Sequence, residues 1–457
     1  MDLFSPADRR PVHFVGIGGA GMSALALIAR RRGVAVSGCD TDPAGAADLA
    51  AMNVTLYKGH DPTHLEGARA VVVTAAVPPD HPELARARAL GLPVVPRKEA
   101  LAGLIGGARS VAVSGTHGKT TTTVMTTEAL TAAGLAPTGI AGGRVSRWGG
   151  NAKLAGDSLF VVEADEYDKA FLTLHPTVAV VNNVEPDHLE CYGSVAALED
   201  AFIDFAGRAS TAIVSADDPG ARRVSLRLPS TVLTFGFASD ADIAISDVTQ
   251  RSDVTEARVT WKRGPSVVVR LRVPGIHNLR NAVAALAAVQ VLGGNLDAAV
   301  QALEAFEGVG RRFERLGEHG GVAVVDDYAH HPSELAATLS AARQAFPGRR
   351  LVAVFQPHLY SRTAEHGQAM GRALAAADLV IVTEVYAARE QPIPGISGRQ
   401  VADAASGAGA DASFEPTRSA LGRHVFAALR PGDVVLTLGA GDITRVGPEL
   451  VQWLDAA

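Results

Sequence analysis

The chain has 457 residues, 47% of them apolar and 20% charged, with a formal charge of −6 and two cysteines. Such a length carries about two to four domains with full cores, and the acidic balance excludes a general nucleic-acid binder, which needs a basic face. Two thiols make no disulfide framework, the start MDLFSPADRRPVHF has no apolar signal-peptide core, and no run approaches the about 20 apolar residues of a membrane span; a cytoplasmic protein without membrane partners is expected.

In chain order, short apolar runs alternate with polar turns and helix-like stretches three times over, which reads as α/β with mostly parallel sheets. The first block opens with a strand at Val12 to Val15 and a helix ending near Gly33, followed by strands in VAVSGCD and AVVVTAAV and a helix in KEALAGLIGGARS. The second opens with SVAVSGTHGKTTTT and continues through strands in SLFVVEADE, PTVAVVNNVEPDH and STAIVSADD. From about Asp240 to Val273 the pattern turns to strict alternation, predicting antiparallel hairpins with a turn at Arg263-Gly264-Pro265, and GIHNLRNAVAALAAVQVLG reads as a helix. EGVGRRFERLGEHGG reads as a charged, glycine-punctuated linker to a third block, whose strands are VAVVDDY, LVAVFQP, DLVIVTEV and DVVLTLGAGD.

The stretch GTHGKTT places Gly115, Thr116, His117, Gly118, Lys119, Thr120 and Thr121 between a strand and a helix. A helix N-terminus favours anions, Lys119 would reach the terminal phosphates of a nucleotide, and the Thr120 hydroxyl would meet Mg²⁺. Val113 stands where the strict phosphate-loop pattern wants glycine, so the motif is a shortened variant. Carboxylates at two strand ends, Glu163, Asp165, Glu166 and Asp168 in one run and Glu185 and Asp187 with His188 in the other, are metal-ligand candidates for the same loop. Earlier, GIGGAG fits G-x-G-x-x-G at Gly16, Gly18 and Gly21, with Asp40 about twenty residues on; the pattern reports a pyrophosphate and leaves NAD and a UDP-sugar both open. DDYAHHP and FQPHLYSRT follow strands of the third block, where open α/β sheets place ligands, and GAGD at Gly439 to Asp442 is a weaker anion nest.

Nine segments in one order, HFVGIGGAGM, SGTHGKTTT, VVEADEYD, PDHLE, GIHNLRNA, GRRFE, VDDYAHHP, FQPHLYSRT and YAAREQPIPGISG, closely resemble the Mur ligase family over nearly the full chain, and among its members the one acting on L-alanine. The resemblance implies three domains: an N-terminal Rossmann-like UDP-sugar-binding domain (1–108), a central P-loop mononucleotide-binding α/β domain with an antiparallel hairpin part (109–315), and a C-terminal Rossmann-like amino-acid-binding domain (316–457). It implies an ADP-forming amide ligase in which ATP phosphorylates the carboxylate of UDP-N-acetylmuramate and the L-alanine amine displaces the phosphate, with ATP and Mg²⁺ as cofactors and a monomer or weak homodimer as the acting species. Thr120, Glu163 and His188 are expected to ligate Mg²⁺, and His277, Asn278, Asn281, Arg312 and Asp327 to contact the nucleotide beside the phosphate loop, with Asn281 rather than His277 on the adenine ring. Gly16, Gly18, Gly19, Gly21, Asp40, His60, Thr74 and Arg97 are expected around the UDP-sugar. Tyr328, His330 and Arg362 are expected around alanine, and Lys119, His188, His330 and Arg362 are the expected catalytic groups. Some relatives carry arginine where Leu359 stands, which removes one cation from the alanine site.

Four rivals remain. A peptide-recycling ligase adding a tripeptide to the same sugar nucleotide would share the phosphate loop and differ in the third domain. A folylpolyglutamate synthetase would lack the GIGGAG domain, an NAD-dependent dehydrogenase leaves Lys119 and Thr120 idle, and a non-catalytic nucleotide sensor would not need Glu163 or His188.

Overall fold

The computed structural model describes residues 3–388 and 390–456. They form three sheets. The first is all parallel, in the order β3-β2-β1-β4-β5, from β1 (Val12–Val15), β2 (Val36–Asp40), β3 (Thr55–Lys58), β4 (Ala70–Val73) and β5 (Val94–Pro96). The near-continuous apolar runs of β1 and β4 suit a parallel sheet covered on both faces. The edge strand β3, with its half-exposed TLYK pattern, lacks that signal and was not predicted.

The second sheet contains β6 (Arg109–Ser114), β7 (Thr138–Val145), β8 (Gly150–Lys153), β9 (Leu159–Glu163), β10 (Val178–Val181), β11 (Thr211–Ser215), β12 (Thr231–Gly236), β13 (Ile243–Gln250), β14 (Thr255–Trp261) and β15 (Ser266–Leu271). Its order is β15-β14-β13-β12-β11-β10-β6-β9-β7-β8. The predicted hairpin turn sits between β14 and β15, where Trp261 N donates to the Pro265 carbonyl. The strands carrying the two acidic runs, β9 and β10, are not neighbours of each other; they flank β6, the strand that feeds the phosphate loop.

The third sheet runs β16-β17-β21-β18-β19-β20, from β16 (Glu314–His319), β17 (Val322–Asp327), β18 (Leu351–Phe355), β19 (Leu379–Thr383), β20 (Asp411–Glu415) and β21 (Val434–Leu438). Part of the expected linker is strand: β16 pairs antiparallel with β17, and Gly317 falls at a register shift in the pairing. Alternating charged side chains on an edge strand gave no buried-strand pattern to read. The chain divides into two compact units, the first holding the first sheet and most of the second, the other holding the third. Among the described residues no helix is long and apolar enough to cross a membrane.

Candidate active site

The phosphate loop forms between β6 and the helix Lys119–Ala132. Gly118 is its N-cap in the left-handed region, at φ 79°. A Cβ there would sit 2.8 Å from Asn281 Oδ1 and 3.2 Å from Asn182 Nδ2, so both the backbone angle and the space demand glycine. Two asparagines brace the turn: Asn183 Oδ1 accepts from His117 N at 2.7 Å, and Asn182 Nδ2 donates to Thr122 Oγ1 at 3.0 Å. Thr116 Oγ1 accepts from Glu185 N at 2.9 Å and ties the loop to the end of β10. Lys119 Nζ lies 2.8 Å from both oxygens of the buried Glu166 and donates to the Gly115 carbonyl at 2.7 Å.

Burial alone would lower the Lys119 pKa, but the charges of Glu166, Asp165 and Glu163 outweigh it and hold the ammonium above its ordinary value. Glu166 is pushed upward by burial and by Asp165 against the pull of Lys119. Three carboxylates thus keep this one lysine an ammonium despite its burial. Thr120 and Thr121 are buried in the first helical turn. Glu163 ends β9 and accepts a hydrogen bond from Gly142 N. His188 opens a short helix in the left-handed region, at φ 54°, with Nε2 3.7 Å from Asp187 and its ring edge-on to Tyr167. An oxygen-rich donor set with one imidazole fits a hard divalent cation.

The first glycine turn lies between β1 and the helix Ala20–Arg31, with Gly19 as N-cap. Thr74 packs its methyl over Gly16, and Arg97 lays its guanidinium over Gly21 while pairing with Asp165 at 3.7 Å. Asp40 lies beside the same turn. Its Oδ2 accepts from Gly18 N at 2.9 Å and its Oδ1 from Asp42 N at 3.0 Å, so it braces the turn. His60 directs Nδ1 at the buried Glu83, 3.0 Å away.

In the second unit, His277 packs its ring against Gly275, and Asn278 Nδ2 donates to the Pro274 carbonyl at 2.7 Å, which anchors the helix start. Asn281, in the first unit, puts its amide against Gly118 of the phosphate loop. Arg311 and Arg312 both lie over the Tyr328 ring, 4.8 and 4.9 Å from its centre. Asp327 accepts from Phe313 N at 2.7 Å and Ala329 N at 2.8 Å; burial raises its pKa to about 6, against the pull of Arg312. His330 Nδ1 lies 3.0 Å from the Tyr328 carbonyl and 3.2 Å from Glu334, and Arg362 Nη1 lies 3.4 Å from His358 Nδ1. Tyr328 and His330 follow β17, and His358 and Arg362 follow β18, at the C-terminal ends where such sheets carry ligand-binding loops. Leu359 holds φ at 69° and donates its N–H to the Tyr386 carbonyl at 3.0 Å.

Sequence reasoning passed over Glu166 as the Lys119 partner, and Asn182 and Asn183 altogether. The asparagine pair had a signal: two adjacent amides ending an apolar strand just before EPDH.

With this geometry in view, the comparisons define the class. The profile of the Mur ligase family catalytic domain matches residues 11–109, the Mur ligase middle domain residues 113–289, and the Mur ligase glutamate ligase domain residues 311–441. The chain belongs to the Mur ligase family. It is 44% identical to the UDP-N-acetylmuramate–L-alanine ligase of Cutibacterium acnes, over 100% of this chain and 98% of that one. Among solved structures it resembles the UDP-N-acetylmuramate–alanine ligase of Thermotoga maritima, with a TM-score of 0.86 at 30% identity over 98% of this chain and 99% of that one. A murein peptide ligase of Psychrobacter arcticus shares the fold, with a TM-score of 0.76 at 24% identity over 98% of this chain and 99% of that one.

Proposed function

We propose that this chain is the ATP-dependent ligase that joins L-alanine to the carboxylate of UDP-N-acetylmuramate, the first peptide step of peptidoglycan precursor synthesis. The observation that carries the reading is Lys119: a cation at the first position of a helix, behind a left-handed glycine and in the field of three carboxylates. The full-length likeness to ligases of that name supports the choice of alanine. The recycling alternative draws on solved peptide ligases at 24% and 28% identity, well below the 44% full-length likeness to the alanine ligase.

A carboxylate is a poor acyl donor because its leaving group is oxide, and phosphorylation supplies a better one. Bringing two anions together needs charge compensation and positioning. Lys119 would pass from Glu166 to the terminal phosphate as ATP enters. Thr120, Glu163 and His188 would hold Mg²⁺, which supplies further compensation for the phosphate oxygens. Asn281, Asn182 and Asn183 keep the loop in shape. In the second unit Arg362 would pair with the alanine carboxylate, without help from the position of Leu359. His330, oriented through Nδ1 by Tyr328 and Glu334, would take the amine proton at Nε2. Gly16, Gly18, Gly21, Thr74 and Arg97 would receive the pyrophosphate of the sugar nucleotide. We assign the reaction to the cytoplasm, where the two free thiols would stay reduced.

The test is phosphate release from ATP and Mg²⁺ with UDP-N-acetylmuramate, adding L-alanine, glycine, L-serine or the stem tripeptide in turn. Release is expected only with the sugar nucleotide and L-alanine together. Release driven by the tripeptide alone would make this a recycling ligase, and no release with any acceptor would remove the ligase reading.

A further inference from the structure

A second cluster of chemistry-bearing side chains lies in the first sheet, away from the phosphate loop. At its centre is Glu83, in the first turn of the helix Pro82–Ala89 and 0% exposed. Both its oxygens lie 3.2 Å from Cys39 Sγ, Oε2 lies 3.0 Å from His60 Nδ1, and Oε1 lies 3.2 Å from His64 Nδ1. Cys39 Sγ is 3.3 Å from His60 Nδ1 and 3.4 Å from His13 Nε2. Cys39 and His13 are also fully buried. Among the described residues Glu83 pairs with no lysine or arginine, only with imidazoles. A carboxylate out of water without a fixed cation is costly, and a divalent ion is one way to offset that.

The spacing suits a metal. Zinc bonds nitrogen and oxygen at about 2.0–2.2 Å and sulfur at about 2.3 Å, which sets tetrahedral ligands roughly 3.3–3.6 Å apart. The successive separations from His13 to Cys39, Cys39 to His60, and His60 to Glu83 are 3.4, 3.3 and 3.0 Å. The donor atoms of His13, Cys39 and Glu83 lie within 4.8 Å of one another, as do those of His60, His81 and Glu83. Outer contacts orient the ligands as metal sites require: Ser37 Oγ holds His13 Nδ1 at 2.9 Å and thereby turns Nε2 toward the sulfur, while Asp61 N and His64 hold Glu83 Oε1, each at 3.2 Å. His60 and His81 keep 24% and 14% of their side chains exposed and provide an entry path.

We infer that His13 Nε2, Cys39 Sγ, His60 Nδ1 and Glu83 form a binding site for a zinc-class divalent cation that pins β1, β2, the turn after β3 and the helix Pro82–Ala89 together. The site is independent of the ligase reading. A metal bound at Cys39 would take the place of the thiol proton, which leaves to solvent. The site also touches the first glycine turn, because the Cys39 carbonyl accepts from Gly16 N at 2.9 Å and Ile17 N at 3.1 Å. A bound ion would therefore stiffen that turn from below.

The experiment strips the full-length protein with a chelator, saturates its oxygen-donor sites with excess Mg²⁺, and titrates Co²⁺. One Co²⁺ per chain is expected, with thiolate-to-cobalt charge-transfer absorption in the near ultraviolet and an increase in melting temperature. Cys39→Ser should lose the charge-transfer band and bind at least about tenfold more weakly. Glu83→Gln should keep the band and bind more weakly, and Cys191→Ser should change nothing. Metal-free melting of each variant, compared with metal-free wild type, separates ligand loss from misfolding. No retained Co²⁺, a spectrum without the thiolate band, or a band that follows Cys191 would overturn the site and leave a hydrogen-bonded network only.

Discussion

The two glycine turns of the first unit share a backbone device and differ in what surrounds it. Each follows a buried parallel strand and opens a helix, β1 into Ala20–Arg31 and β6 into Lys119–Ala132. At the first turn an acid already occupies one amide, since Asp40 takes the Gly18 N–H, and the nearest cation, Arg97, comes from another helix. At the second the helix supplies its own cation, which three carboxylates hold charged, while asparagines pad the glycine. The first arrangement can hold an anion by shape. The second can hold one and redistribute charge around it. A glycine pattern therefore announces a phosphate, and the residues on neighbouring strands decide whether that phosphate is bound or moved.

The largest effect that could break this contrast is at Lys119. Lys119→Ala should lower kcat in the phosphate-release assay by at least about a thousandfold, the range for losing a preorganised charge. It also leaves Glu166, 2% exposed, without its cation, and should cost about 3–5 kcal/mol of stability in denaturant unfolding. Lys119→Ala combined with Glu166→Gln should recover much of that stability and none of the turnover. If the double variant regained turnover, Glu166 would be the group that matters and Lys119 merely its counterion.

Next come the glycines themselves. Gly118→Ala places a methyl 2.8 Å from Asn281 Oδ1 at a positive φ, and Gly18→Ala places one 2.6 Å from the Asp42 carbonyl. Each carries strain of about 1–3 kcal/mol, or roughly 10–100-fold in affinity. The expected split is a raised KM for ATP in the first variant and a raised KM for the sugar nucleotide in the second, each with the other KM unchanged. Initial-rate kinetics with one substrate saturating reads this directly. Crossed effects would exchange the ligands assigned to the two turns.

Much of this contrast was legible before any coordinates. The strands β1 and β6 announce themselves as apolar runs into glycine, and Lys119-Thr120 marks the second turn as the one with chemistry. What stayed hidden was pairing. Glu166, Asp165 and Glu163 look alike in VVEADEYD, and only the fold chooses Glu166 for Lys119. Asp40 sits at the spacing for a ribose contact, and the spacing did not show that its side chain also takes the N–H groups of Gly18 and Asp42. Nor did GIHNLRNA show that Asn281, one helical turn beyond His277, lies over Gly118. The edge strands β3, β16 and β20 escaped because each is half-exposed and lacks a continuous apolar run. Side chains that act on their own backbone, and strands with one wet face, leave little pattern in composition.

The smallest expected effect is the sharpest on the first turn. Asp40 accepts two backbone hydrogen bonds with two oxygens, from Gly18 N and Asp42 N. Asp40→Asn keeps one acceptor and turns an amide NH₂ toward the other N–H, so one bond is lost and the turn loosens. Losing one such bond costs about 1–2 kcal/mol, and the KM for the sugar nucleotide should rise about tenfold while the KM for ATP stays put. The opposite sign carries equal information. A pyrophosphate docked beside Gly18 also feels the Asp40 charge, and if that repulsion outweighed the bracing, Asp40→Asn would lower the sugar-nucleotide KM. The first turn would then be governed by charge, as the second is, and the division between a turn that holds by shape and one that works by charge would fall.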